Sequence, residues 1–131
     1  VNTVISNIFD MKTIAVVGMS PKPERPSHYV SVYMSQNGYN IIPVNPGHNS
    51  IMGKTSYSSL LDIKENVDIV NVFRRSEYVL PIINDAVSIK AKAVWLQDGI
   101  ISEEGEKIAK ENEMLFIMND CLLRRHKQYN G

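Results

Sequence analysis

The sequence predicts an α/β protein: a Rossmann-like, three-layer fold with a five-stranded, mainly parallel sheet and helices on both faces. Three observations carry this. Short β-rich apolar runs alternate with helical patterns along the whole chain. Several of the runs are continuously apolar rather than alternating, as strands buried on both faces are. The chain has 131 residues, 44% hydrophobic and 21% charged, which suits one compact domain, residues 1–131, with a sizeable core.

In order along the chain, Val1–Phe9 reads as a short amphipathic lead-in, with Val4, Ile5 and Ile8 at helical spacing. Thr13–Val17 is a buried-strand run that ends at Gly18. The loop after it carries Pro21, Pro23 and Pro26, so no helix runs through it. Ser27 is positioned to cap a helix whose Val30, Tyr33 and Met34 share a face, and Gly38 stops it. The second strand is Asn40–Val44, followed by the turn-rich Asn45-Pro46-Gly47 and an irregular stretch with a hairpin-like turn at Gly53. Leu60–Lys64 suits one helical turn, and Asp68–Phe73 is the third strand. A helix over Ser76–Lys90 has an apolar stripe at Val79, Ile82, Ile83, Ala86 and Val87, and Pro81 either makes its first turn irregular or starts the helix. Ala93–Leu96 is the fourth strand. Ser102 caps a helix with Glu103 and Glu104 in its first turn, and Leu115–Met118 and Leu122–Lys127 complete the chain as strand and helix. With right-handed crossovers the strand order expected is 3-2-1-4-5, and ligands in such sheets bind beyond the carboxyl ends of the strands at the switch point. In that order the loops after Val17 and Leu96 flank the switch.

Composition excludes several function classes. The formal net charge is zero, which argues against a general nucleic-acid surface. No apolar run approaches the ~18 residues of a membrane span. The first residues lack the basic–apolar–small pattern of a secretory signal. A single cysteine, Cys121, permits no intramolecular disulfide and fits a cytoplasmic setting; it reads as a small buried residue. The basic run Arg124-Arg125-His126-Lys127 reads as a solvated helix end.

The loop Gly18–Ser27 carries the strongest chemical signal. Gly18 tolerates unusual torsions and close approach. Ser20 and Ser27 offer hydroxyls, Lys22 and Arg25 positive charge, and the helix start its amides, a combination that suits a diphosphate. It is neither of the common phosphate motifs: G-x-G-x-x-G is absent, and Gly53-Lys54-Thr55 has no strand before it. The second strand ends in Pro43-Val44-Asn45-Pro46, with no acid of the kind that holds an NAD ribose. Asn45 serves either a ligand or a turn. Phe73 with Arg74 and Arg75 follows the third strand and can support a base and an acidic group. Gln97 and Gly99 follow the fourth, where Trp95 belongs to the core.

These residues, taken in order, resemble a known family. Ala15–Pro21 with Arg25-Pro26-Ser27, then Gly38-Tyr39, Ile42–Pro46, Asp68-Ile69-Val70, Phe73-Arg74-Arg75 and Ala93–Gln97 with Gly99 are similar to the small stand-alone CoA-binding proteins. These share their fold with the CoA-binding domain of the succinyl-CoA synthetase alpha subunit. The resemblance spans nearly the whole chain. It implies non-covalent binding of coenzyme A or an acyl-CoA, as a carrier or sensor. It places pyrophosphate and pantetheine near Gly18, Met19, Ser20, Arg25 and Ser27, with further contacts at Val44, Asn45, Pro46, Phe73, Arg74 and Gln97. One departure stands out: where the family has Asp-Arg-Cys after the last strand, this chain has Asn119-Asp120-Cys121.

No catalytic set emerges. His28, His48 and His126 are scattered, and no His or Cys spacing resembles a metal site. The alternatives to a CoA-binding module are an NAD(P)-linked oxidoreductase, which the missing acid disfavours, and a scaffold protein on the same fold. A homodimer is compatible with the apolar lead-in.

Overall fold

A computed structural model describes residues 3–130, so Val1 and Asn2 of the lead-in lie outside the described residues. The chain runs α1 (Thr3–Phe9), β1 (Thr13–Val17), α2 (Pro26–Gln36), β2 (Asn40–Val44), a small antiparallel hairpin of β3 (Ser50–Ile51) and β4 (Lys54–Thr55), and a 3₁₀ turn (Leu60–Asp62). It continues with β5 (Ile69–Val72), a 3₁₀ turn (Ser76–Tyr78), α3 (Val79–Ser88), β6 (Ala93–Leu96), α4 (Glu103–Glu111), β7 (Leu115–Ile117) and α5 (Leu122–Asn130). The hairpin sits where Gly53 marks a turn. The irregular first turn expected at Pro81 is the 3₁₀ turn that leads into α3.

Alternate strand residues serve opposite faces, so the continuously apolar strands feed two cores. Ala15, Val17, Val70, Val72, Val94 and Leu96 pack with Val79, Ile83 and Ala86 of α3 and Ala109 of α4. Ile14, Val16, Ile69 and Trp95 pack with Ile8 and Phe9 of α1, Val30 and Met34 of α2, and Leu122 of α5. Trp95 is fully buried and its Nε1–H donates to the Asp120 carbonyl at 2.9 Å, as a core indole should.

The fold class stands, but the strand order does not. The parallel sheet is ordered β2-β1-β5-β6-β7, which is 2-1-3-4-5 for the five strands expected, not 3-2-1-4-5. Two local features account for this. The free side of β2 is already taken near its carboxyl end: Tyr57 N–H donates to the Pro43 carbonyl (3.1 Å) and Asn45 N–H to the Tyr57 carbonyl (2.9 Å). Asp68, just ahead of β5, accepts the Lys12 and Thr13 N–H groups on Oδ2 at 3.0 and 2.9 Å. That pins the start of β5 beside the start of β1. The switch point therefore lies between β1 and β5, and the loop after Val72 replaces the loop after Leu96 as partner of the Gly18 loop.

Candidate functional site at the carboxyl edge of the sheet

All five strands of the sheet are parallel, so the loops after Val17, Val44, Val72, Leu96 and Ile117 emerge on one edge. Every residue singled out for ligand contact in the sequence stands on or beside one of the first four.

The Gly18–Ser27 loop is held by its own small polar groups. Ser20 N–H donates to Ser27 Oγ at 2.8 Å, and Lys22 N–H to Ser20 Oγ at 3.1 Å. His28 Nδ1–H donates to the Ser20 carbonyl at 2.9 Å; a carbonyl only accepts, which fixes the proton on Nδ1. Ser27 is not the helix cap expected of it. Arg25, in an extended conformation, precedes the first helical residue, Pro26, and Ser27 is the second. Proline fills the first position because it has no N–H to leave unsatisfied, which frees the serine hydroxyl to clamp the loop. Asn45 resolves into a structural tie. Its Nδ2 donates to the Met19 carbonyl (2.9 Å) while its Oδ1 accepts Gly47 N–H (2.9 Å) and closes a turn.

Gly18 has φ +85°, and a Cβ there would lie 2.9 Å from both the Phe73 carbonyl and Arg74 Cδ. The glycine is required where the loops after β1 and β5 touch, so close approach to the second loop, not to a ligand alone, explains it. Met19 is fully buried and offers only backbone to the edge, and Val44 and Gln97 are also buried. Gln97 Nε2 donates to Asn71 Oδ1 at 2.7 Å inside the sheet. Lys22 and Arg25 are different: both are exposed, and neither side chain makes an ion pair or hydrogen bond among the described residues.

Three clefts meet around Gly18, Phe73 and Arg74. One of about 490 Å³ is lined by Gly18, Ser20, Lys22, Arg25, Asn45 and His48 and bounded by Pro26 and Phe73. A second, of about 420 Å³, continues past Pro26 and Phe73 between α2 and the loop after β6. A third, of about 300 Å³, lies on the other side of Gly18 among Val44, Pro46, Arg74, Tyr78 and Ile82. The geometry thus gathers Gly18, Ser20, Lys22, Arg25, Ser27, Asn45 and Phe73 into one cleft, and places Val44, Pro46 and Arg74 in the next.

Several lining residues escaped the sequence. Tyr29 stands one turn into α2, in step with Pro26, and helical spacing from Pro26 would have found it. His48, Tyr78 and Ile100 carry no local signal; their places depend on the strand order. Cys121 is half-buried and lines the second cleft, in place of the buried position expected. The basic run is not simply solvated either. Arg124 donates to both Asp98 oxygens (2.9 and 3.0 Å) and to Asp120 (2.9 Å), which holds the Asp98 carboxyl below the usual carboxylate range, and His126 is buried. Among the described residues no helix is long and apolar enough to cross a membrane, and no group of three or more His, Cys, Asp or Glu could hold a metal ion.

A doubly wound parallel sheet with confluent clefts at its switch point defines a Rossmann-like ligand-binding class of domain. The chain belongs to the CoA-binding domain family, whose model matches residues 12–127. It is similar to uncharacterized protein YneT of Bacillus subtilis, 43% identical over 115 residues that span 88% of this chain and 85% of the relative. It is also 30% identical over 108 residues to the ADP-forming acetate–CoA ligase II of Archaeoglobus fulgidus, covering 81% of this chain but 16% of that enzyme. Among solved structures, a hypothetical protein from Pyrococcus horikoshii superposes with TM-score 0.94 at 32% identity, covering 98% of this chain and 91% of that one. Cell-free ID.343 from Thermus thermophilus does so with TM-score 0.90 at 37% identity, over 96% of both chains.

Proposed function

We propose that this domain binds coenzyme A non-covalently across the three confluent clefts. The observation that carries the reading is the pair Lys22 and Arg25. Among the described residues both are unpaired, both are exposed, and they stand on a loop that is otherwise fastened by its own hydrogen bonds. A rigid loop with free cations binds a diphosphate with little ordering cost. Membership of the family supports the choice of ligand. In this reading Gly18, the Met19 backbone, Ser20, Lys22, Arg25 and Ser27 form the diphosphate seat. Val44, Asn45, Pro46 and Arg74 border the adenosine. Phe73 and Gln97 flank the pantetheine arm. An NAD ligand is less well served: the residue at the end of β2 is Asn45, and its amide is already committed to Met19 and Gly47.

Titration calorimetry with purified protein and coenzyme A tests this. Arg25→Ala and Lys22→Ala should each weaken binding by roughly 10- to 100-fold, the worth of a charge-assisted hydrogen bond, with thermal stability nearly unchanged. An absence of heat and of any thermal shift at millimolar coenzyme A would overturn the reading.

A further inference from the structure

We propose that the cleft between α2 and the loop after β6 is an acyl subsite, and that the preferred ligand is a thioester of coenzyme A with a short, uncharged acyl group rather than the free thiol. This rests on the coenzyme A reading above and adds the class of cargo.

Continuity comes first. The cleft of about 420 Å³ shares Pro26 and Phe73 with the cationic cleft. A ligand whose diphosphate lies over Lys22 and Arg25 has only that apolar ridge to cross. The far side is walled by hydrocarbon. Pro26, Tyr29 and Val30 fall at i, i+3 and i+4 on one stripe of α2, and Phe73 and Ile100 also line the cleft. Its volume is toward the small end for ligand pockets and, in the reading above, also takes the end of the pantetheine arm beside Phe73 and Gln97, so the space that remains suits a short chain. Tyr29 is 47% exposed, so a filled cleft gains apolar burial there.

The Asp98 and Gln97 side chains at this cleft already have partners, whereas the Tyr29 hydroxyl and the Cys121 thiol, both neutral, make no hydrogen bond among the described residues. Both Asp98 oxygens are held by Arg124, and the Gln97 amide donates to Asn71. On the opposite rim the Arg74 guanidinium lies over the Tyr78 ring at 5.7 Å, and Arg75 is 4.0 Å from Glu77. A carboxylated acyl group would approach the Asp98 carboxylate, and Arg75, 81% exposed and screened by water, would offset little of that repulsion. A neutral hydrocarbon does not meet it.

The experiment is calorimetry on the full chain with coenzyme A, acetyl-CoA, butyryl-CoA and succinyl-CoA. Affinity should rise from the free thiol through acetyl to butyryl by about two- to fourfold per carbon, fourfold being the limit for a fully buried methylene. Succinyl-CoA should bind no more tightly than acetyl-CoA. Ile100→Trp, which fills the cleft, should bring the butyryl-to-free-thiol affinity ratio close to one. Tyr29→Ala, a change on exposed helix surface, should lower the same ratio and carries the test if Ile100→Trp does not fold. Equal affinity for coenzyme A and butyryl-CoA, tighter succinyl-CoA, or a ratio unmoved in both variants overturns the acyl subsite alone. Failure of all four ligands to bind overturns the coenzyme A reading and this proposal with it.

Discussion

Two regions of the molecule gather polar side chains, and they use them in opposite ways. Around His126, where α1, α2 and α5 meet, the imidazole is 4% exposed. Tyr33 Oη lies 2.8 Å from its Nδ1, and Asn130 Nδ2 lies 3.0 Å from Nε2. The rings of Phe9, Tyr33 and Tyr39 present edges to it at 5.1 to 5.6 Å. Tyr39 donates to the Phe9 carbonyl at 2.6 Å, and burial pushes its phenol up to about 12. Each of these polar groups has a partner, within α5 for Asn130 and across the fold for Tyr33 and Tyr39. On the Gly18–Ser27 loop the serine hydroxyls, Asn45, the His28 ring and backbone amides are bound and fasten it, while Lys22 and Arg25 make no ion pair or hydrogen bond among the described residues. A buried polar group needs a partner to offset its desolvation, so the His126 cluster is a fold feature. Exposed charges on a fastened loop have no such role in stability, which is what supports the edge as the proposed site.

The largest effect that separates the regions comes from Gly18. Gly18→Val places a Cβ 2.9 Å from the Phe73 carbonyl and Arg74 Cδ at a φ of +85°. The left-handed backbone costs about 1–2 kcal/mol and the overlap about 1–3 kcal/mol, so stability should fall by roughly 2–5 kcal/mol in urea denaturation, with ligand binding lost as the two loops part. A variant as stable as the parent would show that the loops do not depend on this contact.

Much of this edge was legible in the sequence because its signals are local. The strands are continuous apolar runs, and the loop announces itself through Gly18, three prolines and two cations. What escaped reading depends on distant partners. The order of the sheet turns on Tyr57 covering β2 and on Asp68 reaching the amides of Lys12 and Thr13, contacts that no spacing rule links. Ser27 looks like a cap because serine before an apolar helical stripe usually is one, yet the helix begins at Pro26, two residues earlier than a Ser27 cap would start it. His126 sits in a basic run and is buried because α5 packs on α1, which only the tertiary structure decides.

A middle-sized effect tests the His126 side of the comparison. Burial lowers the pKa of this imidazole, whereas in the unfolded chain it titrates near the ordinary value of about 6.5. Above that pH both states are neutral and the group contributes nothing pH-dependent. As the pH falls below about 6.5 the unfolded chain takes up the proton first, so the native state loses stability until its own lower pKa is passed, after which the loss is constant. Thermal midpoints should therefore fall more steeply between pH 7 and pH 5 for the parent than for His126→Gln, which leaves His28 and His48 as a shared background. Equal slopes would mean that the ring is not held neutral.

The smallest expected effect draws the boundary of the site itself. Residue type alone does not separate Arg74 from Arg75; the family resemblance gives the contact to Arg74, and the structure sets the two in different surroundings. The Cγ and Cδ of Arg74 lie within 3.4 Å of where a Gly18 Cβ would be, and its guanidinium rests over Tyr78, so it is part of the contact between the two loops. The Arg75 side chain is 81% exposed, and its ion pair to Glu77 is at 4.0 Å. Such a pair contributes little because water screens it and both side chains lose freedom in forming it. Arg75→Ala should thus change stability by less than about 0.5 kcal/mol and coenzyme A affinity by less than about twofold. Arg74→Ala should weaken binding several-fold in the same calorimetric series. If Arg75→Ala instead weakens binding as much as Arg25→Ala, then exposure and want of a close partner mark a ligand contact there too, and the cationic seat extends from the Gly18 loop onto the loop after β5.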